Sequence, residues 1–185
     1  MPIDPQNLTT LQAIAFDVDG VLTDGTLTWS ASSGEESKTF SFADIMGISL
    51  ARRLGLQLAL ISGEPSPLVD RYAEKLRIRH VTKGCRDKAT ALREFSYTTG
   101  IELEHICFFG DDVNDLFAME IAGLSACPAN AATDVLTYVS GRQEQGHGFV
   151  STQPGGRGAV RHFVDTILQA RNLAAKEVFL LRPPE

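Results

Sequence analysis

Short apolar runs alternate with amphipathic segments along the chain, and this alternation predicts the fold. Five runs are typical of buried strands: 13–16, 56–61, 78–81, 105–109 and 124–127. Apolar residues recur at helical spacing in the segments between and after them: 44–54, 65–77, 86–97, 114–122, 129–138 and 159–170. Alternating strands and helices indicate an α/β fold of three layers, in which helices cover both faces of a mostly parallel sheet.

Residues 26–40 do not follow this alternation. Two β-favouring runs flank a polar turn that contains Gly34, and this pattern predicts a β-hairpin. The hairpin follows the first strand directly, so we expect it to project over the end of that strand as a flap. Because a lone two-stranded hairpin is marginal in water, Trp29, Phe40 and Phe42 are expected to pack either on another subunit or on their own domain.

The remaining segments carry weaker patterns. Residues 1–10 are predicted to be a loose lead-in. The Gly-rich residues 140–158 are predicted to be a loop, with a brief extended stretch at 148–151. The tail to residue 185 carries an apolar run, 178–181, that has no evident partner in the sequence.

Composition sets the class of protein. The 185 residues, 43% hydrophobic and 22% charged, are typical of one globular domain. We therefore predict a single domain over 1–185, with the flap at 26–40 and a C-terminal Gly-rich segment and helix at 153–171. The net charge of −6 argues against nucleic acid or an anionic membrane as the main partner.

Targeting signals are not evident. No apolar run reaches membrane-spanning length, and the first ten residues show no signal-peptide pattern. Cys85, Cys107 and Cys127 are an odd number without metal-ligand spacing, which favours reduced thiols. We expect a cytoplasmic protein that interacts with neither nucleic acid nor a membrane.

Polar side chains follow the ends of the predicted strands, where an open α/β sheet binds its ligands. Two neighbouring carboxylates at such a place repel each other, and a hard cation such as Mg²⁺ would remove that repulsion. Carboxylates, a hydroxyl, a backbone amide and an ammonium group together are what phosphoryl transfer requires. Each residue alone also fits a turn, a solvated charge or a helix N-terminal acid. The set comprises Asp17, Asp19, Ser62, Gly63, Lys88, Asp111, Asp112 and Asp115.

The order and spacing of these residues over about 12–170 resemble the haloacid dehalogenase (HAD) superfamily of aspartate-nucleophile phosphatases. The matching motifs are DVDGVLTDG, the Ser of ISG, Lys88 and GDDVND. The resemblance implies that Asp17 is the nucleophile and Asp19 the general acid/base. It further implies that Asp17, the Asp19 carbonyl and Asp111 hold Mg²⁺, that Asp115 supports the metal site and Lys88, and that Ser62 with Lys88 holds the phosphate.

A narrower resemblance concerns the small capless phosphatases of sugar-acid synthesis. It rests on the run GEESKxF, Asp44, Gly47-Ile48 and GGRGAVR at 155–161. Members act on 3-deoxy-D-manno-octulosonate (KDO) 8-phosphate or on nine-carbon ulosonate (KDN or sialic acid type) 9-phosphates. The resemblance implies no cap domain, a small phosphorylated sugar acid as substrate, and a homotetramer in which hairpins assemble and subunits close each other's sites.

The second motif leaves the substrate open. The octulosonate enzymes usually carry T-G-R there, whereas this chain has Ser62-Gly63-Glu64; the nine-carbon enzymes have Gly-Glu and a similar AEKL run, here 73–76. We hypothesise that Glu64, paired with Lys75, selects the sugar acid; the alternative is a surface salt bridge of little energy.

Two arginines are candidates for a substrate carboxylate. Arg157 and Arg161 belong to the GGRGAVR run, and a guanidinium group binds a carboxylate with two hydrogen bonds. The alternative is a helix start packed at an interface. His162 stands where the family usually has Glu, and all four histidines are interpreted as structural or solvated.

Other functions remain open at this stage. One is a broad-specificity phosphatase of small esters, and another is a non-catalytic assembly domain of the kind appended to sialic acid cytidylyltransferases. The joint presence of Asp17, Asp19, Lys88 and Asp111 argues against the assembly domain. A phospho-accepting receiver domain is disfavoured because it needs neither a flap nor a leaving-group acid.

Overall fold

The computed structural model describes residues 3–182. The strands in this range are β1 (Ala13–Phe16), β2 (Thr28–Trp29), β3 (Glu36–Ser37), β4 (Gln57–Ile61), β5 (His80–Thr82), β6 (Ile106–Phe109), β7 (Leu124–Cys127) and β8 (Gly148–Val150). The helices are α1 (Pro5–Thr10), α2 (Phe42–Arg53), α3 (Pro67–Leu76), α4 (Lys88–Thr99), α5 (Leu116–Ile121), α6 (Thr133–Glu144), α7 (Ala159–Ala170) and α8 (Ala175–Leu180). Within residues 3–182, none of these helices has the length and apolar character needed to cross a bilayer.

Six parallel strands form the central sheet, in the order β5-β4-β1-β6-β7-β8. β1 lies between β4 and β6, and Phe16 at its end is paired with Leu60 and Phe109. The residues that follow these strands therefore meet at one edge of the sheet, as the sequence predicted. β2 and β3 form a separate antiparallel hairpin.

Helices cover both faces of the sheet. Ile14 and Phe16 of β1 belong to a buried cluster with α1, α2, α3, α7 and α8, whereas Ala13 and Ala15 belong to a second cluster with α4, α5 and α6. This split follows from the alternation of side chains along a strand. The predicted α/β three-layer fold with a parallel sheet is confirmed.

Local capping places two helices next to the strand ends. The Ser66 hydroxyl accepts a hydrogen bond from the Leu68 amide at 3.2 Å and begins α3. The Asp87 carboxylate accepts from the Thr90 amide at 3.0 Å and begins α4. Such caps satisfy amides that the first helical turn leaves unpaired. They fix Lys88 as the first residue of α4.

Three terminal or Gly-rich segments differ from prediction. Of the lead-in expected at 1–10, residues 1 and 2 lie outside the described range, and the rest contains α1, which Asp4 caps and Leu8 anchors in the core. α6 runs to Glu144, so the loop expected at 140–158 begins later; its extended stretch is β8. The apolar run 178–181 begins in the helix α8; its Val178 is buried in the core beside α2, whereas Phe179, Leu180 and Leu181 are exposed.

The hairpin is shorter than predicted. Each strand has only two residues in register, Thr28 opposite Ser37 and Trp29 opposite Glu36. Phe40 packs on its own domain, with its ring stacked on Tyr72 at 3.8 Å between centroids. Trp29 and Phe42 remain 70% and 78% exposed.

Candidate active site

The loop after β1 presents Asp17 at the centre of the strand edge. The Asp17 amide donates to the Phe109 carbonyl at 2.9 Å, which extends the pairing of β1 with β6. Its carboxylate is buried and accepts from the Val18 amide at 2.7 Å. The chain then turns back, with the amides of Leu22 and Thr23 donating to the Val18 carbonyl. Asp17 is thus held by backbone contacts on both sides.

Gly20 lets this loop approach the loop after β6. Its φ of +85° lies in the left-handed region, and a Cβ there would lie 1.9 Å from the Oδ2 of Asp111. Only glycine therefore allows the first and fourth motifs to meet at this distance.

Three carboxylates converge where the two loops meet. One oxygen each from Asp17, Asp111 and Asp115 lies within 4.8 Å of the others. Asp115 is fully buried; its Oδ2 accepts from the amides of Asp111 and Asp112 at 2.9 and 3.2 Å. The buried Oδ1 of Asp111 has no hydrogen-bond partner among residues 3–182. Asp115 is therefore occupied in shaping the loop, whereas Asp111 keeps an oxygen available for a ligand.

Lys88 joins the first and fourth motifs. Its ammonium group lies 2.9 Å from Asp17 Oδ2 and 2.6 Å from Asp115 Oδ1, and the residue is only 2% exposed. Burial alone would lower the pKa of Lys88, but Asp17 and Asp115 outweigh it and raise that pKa. Lys88 is therefore a permanently charged contact of Asp17.

The acids themselves carry an unbalanced charge. Burial raises the pKa of Asp17 to about 7, and repulsion from Asp115 adds to this shift, whereas the Lys88 ammonium group opposes it. Burial, with repulsion from Asp17 and Asp115, raises the pKa of Asp111 to about 8. A divalent cation among these oxygens would reverse both shifts. The donor set of carboxylates, with one unpaired buried oxygen, fits Mg²⁺, which prefers oxygen ligands.

The loop after β4 closes the next side of the site. The Ser62 amide donates to the Thr82 carbonyl at 2.9 Å, and the fully buried Ser62 hydroxyl accepts from the Glu64 amide at 3.1 Å. Gly63 and Glu64 face a cavity of about 270 Å³ that Asp17, Asp19, Lys88 and Asp111 also line. Residues of all four predicted motifs therefore line one cavity, but the second motif does so through Gly63 and Glu64, whereas the predicted phosphate ligand Ser62 is fully buried behind them and is not part of the lining. A wider depression of about 1010 Å³ lies at the opposite, amino-terminal ends of the strands, and none of the residues between 3 and 182 that line it has a carboxylate side chain.

Three predicted substrate contacts lie elsewhere in this single chain. Lys75 is not among the cavity residues; its ammonium group lies 5.4 Å from the centre of the Phe42 ring, so the suggested pair with Glu64 is absent from the described residues. Arg157 contacts Asp24 at 3.2 Å, and Arg161 contacts Asp165 at 2.8 Å. Within this chain, each of the three cationic side chains therefore contacts a group outside the cavity.

The sequence interpretation missed Lys38. Its ammonium group lies 2.7 and 2.9 Å from the two carboxylate oxygens of Asp19. The residues are far apart along the chain and meet only because the hairpin folds back over the loop. The available signal was the two-residue alternation along the return strand, which places Glu36, Lys38 and Phe40 on one side.

The Gly-rich segment 155–158 packs against the loop after β1. The Gly156 amide donates to the Val21 carbonyl at 2.8 Å, and a Cβ at Gly155 would lie 1.7 Å from the Gly20 carbonyl oxygen. The fully buried Asp44 fixes this segment by accepting from the amides of Gly158 and Arg161, each at 3.0 Å. The GGRGAVR run and Asp44 therefore act together on the geometry of the loop that carries Asp17 and Asp19.

Comparison with known proteins agrees with this geometry. Residues 78–146 match the profile of haloacid dehalogenase-like hydrolases. The chain is 35% identical, over 90% of its length and 87% of the relative's, to the 3-deoxy-D-manno-octulosonate 8-phosphate phosphatase of Haemophilus influenzae.

Solved structures show the same architecture. The phosphatase of that name from Moraxella catarrhalis, in complex with magnesium ion, phosphate ion and KDO, superimposes with a TM-score of 0.81 at 35% identity and covers 91% of each chain. The Yersinia pestis phosphatase gives a TM-score of 0.84 at 30% identity, over 97% of this chain and 90% of the other. This chain therefore belongs to the haloacid dehalogenase-like hydrolases, in the family of capless 3-deoxy-D-manno-octulosonate 8-phosphate phosphatases.

Proposed function

We propose that the protein is a Mg²⁺-dependent phosphatase that hydrolyses a sugar-acid phosphate monoester, with KDO 8-phosphate as the first candidate substrate. The observation that carries this proposal is the environment of Asp17. Its carboxylate lies between the Lys88 ammonium group and an acid cluster that has an unpaired oxygen at Asp111. The relatives that carry the name of this activity match nearly the whole chain.

The side chains support a two-step reaction. Asp17 attacks phosphorus; its bond to phosphorus forms as the bond to the ester oxygen breaks, and Asp19 gives that oxygen its proton. Water then attacks the aspartyl-phosphate, Asp19 takes the water proton, and phosphate leaves with Asp17 restored. Lys88 neutralises negative charge on the phosphoryl oxygens throughout.

Asp17, the Asp19 carbonyl and Asp111 would hold Mg²⁺, with Asp115 fixing the loop that carries Asp111. When bound, Mg²⁺ supplies positive charge that offsets the charge of the phosphoryl group. Six carboxylates, Asp17, Asp19, Glu64, Asp111, Asp112 and Asp115, lie in the acid cluster or line the cavity, against the two ammonium groups of Lys38 and Lys88, and a divalent cation would offset two of the excess negative charges.

A nine-carbon ulosonate 9-phosphate is the second candidate, and Glu64 favours it. This residue lines the cavity directly after the Gly63 backbone, where the octulosonate enzymes usually have a cation. A carboxylate there would repel the single carboxylate of a sugar acid and accept hydrogen bonds from its hydroxyl groups, so we expect Glu64 to face the hydroxyl-bearing part of the substrate. Lys75, Arg157 and Arg161 remain predicted substrate contacts that would need the neighbouring subunits of an assembly.

We further propose a homotetramer and a cytoplasmic location. Trp29 and Phe42, 70% and 78% exposed, are large apolar groups on and beside a hairpin of two short strands, which supports burial against another copy. Free thiols at Cys85, Cys107 and Cys127 fit a reducing compartment. Light scattering of the purified protein tests the tetramer, and a Trp29→Ser variant should shift it towards smaller species.

Phosphate release tests the function. KDO 8-phosphate, ulosonate 9-phosphates and common sugar phosphates are assayed with Mg²⁺ and with EDTA, with Asp17→Asn as the inactive variant and the exposed Asp70→Asn as its matched control. Preference for one ulosonate phosphate that needs both Mg²⁺ and Asp17 supports the proposal. Equal weak turnover of every ester indicates the broad phosphatase, and no turnover of any ester indicates the assembly domain.

A further inference from the structure

Lys38 places a positive charge beside Asp19 that has no role in the reaction steps described above. Its ammonium group contacts both carboxylate oxygens of Asp19, at 2.7 and 2.9 Å. The Lys38 side chain is 3% exposed and that of Asp19 is 32% exposed. Exposed ion pairs fluctuate and contribute little, but an ammonium group removed from water is held strongly to its partner. Lys38 therefore restrains the Asp19 carboxylate in one orientation.

The hairpin is fastened so that Lys38 reaches this position. Glu36 accepts a hydrogen bond from the Ser66 hydroxyl at the start of α3. Phe40 stacks on Tyr72 of the same helix. The residues between, Ser37 and Thr39, are exposed. The return strand thus has one inward face, and its middle residue meets Asp19.

We propose that Lys38 is a positioning residue that holds the Asp19 carboxylate for the second half of the reaction. This inference rests on the proposed phosphatase function. In that half, an oxygen of water bonds to phosphorus, the bond from phosphorus to Asp17 breaks, and one water proton passes to Asp19. Lys38 neither gains nor loses a proton; it keeps both Asp19 oxygens fixed while the carboxylate waits for water.

The role predicts a specific kinetic defect in Lys38→Met. An aryl ester such as p-nitrophenyl phosphate needs no proton for its leaving group, so transfer of phosphate to Asp17 should continue. Hydrolysis of the aspartyl-phosphate should slow, because a well-placed general base contributes about 10²- to 10⁴-fold. We expect a burst of nitrophenolate approaching one per active site, followed by steady turnover about 10- to 100-fold below the unmodified protein.

Three further variants separate this role from damage to the hairpin. Lys38→Arg keeps a positive charge that can donate two hydrogen bonds to the Asp19 carboxylate. Its burst should therefore be much smaller than that of Lys38→Met. Glu36→Gln removes the charge that faces the Ser66 hydroxyl and weakens the docking that places Lys38, so it should give a burst smaller than that of Lys38→Met. Lys83→Met, which removes an ammonium group paired with Asp70 on the surface, should behave as the unmodified protein.

Rapid-quench measurement of nitrophenolate and of phosphorylated protein decides the matter. A burst with trapped phosphoprotein that is largest in Lys38→Met, smaller in Lys38→Arg and Glu36→Gln, and absent from Lys83→Met supports the inference. Absence of a burst from Lys38→Met, or an equal burst in Lys83→Met, overturns the inference. Steady Mg²⁺-dependent turnover by the unmodified protein would still preserve the proposed function. Failure of the unmodified protein to release phosphate from any ester overturns both.

Discussion

Removing divalent cations should make the stability of the protein depend on pH in a way set by the acid cluster. An unfolded aspartate loses its proton near pH 3.8, whereas folded Asp17 and Asp111 keep theirs to about 7 and 8. Between these limits the folded state binds more protons than the unfolded state. Stability must therefore fall as pH rises through this window, and it is unaffected by these groups below pH 3.8.

The magnitude follows from the shift of Asp17 alone. One group in this window changes the free energy of unfolding by about 1.4 kcal/mol per pH unit. Raising the pH from about 5.5 to about 7 should then cost about 2 kcal/mol. For a chain of this length, that corresponds to a decrease of about 4–8 °C in Tm.

Thermal unfolding in EDTA and in excess Mg²⁺, followed by circular dichroism, measures the effect. Mg²⁺ should raise Tm more at about pH 7 than at about pH 5.5, because bound cation favours the ionised cluster. Asp111→Asn removes one titrating acid and should show a shallower slope in EDTA and a smaller response to Mg²⁺. The exposed Asp70→Asn is the matched control. Equal slopes in the unmodified protein and Asp111→Asn, with a response to Mg²⁺ that does not change with pH, would refute the reasoning.

Three further changes probe the parts of the site separately. Gly20→Ala places a Cβ 1.9 Å from Asp111 Oδ2, so isothermal titration should show Mg²⁺ affinity lowered by about tenfold or more, a loss of at least about 1.4 kcal/mol; unchanged affinity would contradict the close approach. Lys88→Met leaves Asp17 and Asp115 without their counter-charge, and phosphate-release assays should show turnover lower by at least about 100-fold, as for other groups that stabilise transition-state charge. Asp44→Asn turns an amide N–H donor towards one of the two backbone amides that Asp44 accepts from, so denaturant unfolding should show a free energy of unfolding lower by about 2 kcal/mol. No measurable decrease would mean that the Gly-rich segment is held in place without Asp44.

Much of the fold was readable because strand and helix periods are strong in the core. β1 and β7 were predicted to the residue, and their side chains are buried throughout. α1 and α8 were missed because each has six residues and a single buried anchor, Leu8 or Val178. No periodic pattern develops over so short a stretch. The end of α6 was misjudged because Gly141 and polar neighbours look like a loop in sequence.

The position of a site residue was predictable where that residue directly follows a strand of the central sheet. Asp17, Ser62 and Asp111 follow neighbouring parallel strands, and the fold rule alone brings them together. Lys38 was not predictable in this way, because its position depends on how the hairpin docks on α3. Lys75 was assigned by resemblance, and its contact with Phe42 depends on the packing of α2 against α3, which local sequence does not specify.

The close packing of Gly155 and Gly156 on the loop after β1 has a consequence for how the protein matures during synthesis. Arg157 and Asp24, which meet at this contact, are 133 residues apart. Asp17 leaves the ribosome early, yet its supporting segment and Asp111 emerge long afterwards. A nascent chain therefore exposes Asp17 and Asp19 without the groups that shape them, and it gains the cation site and any hydrolytic activity only when translation has passed the Gly-rich segment.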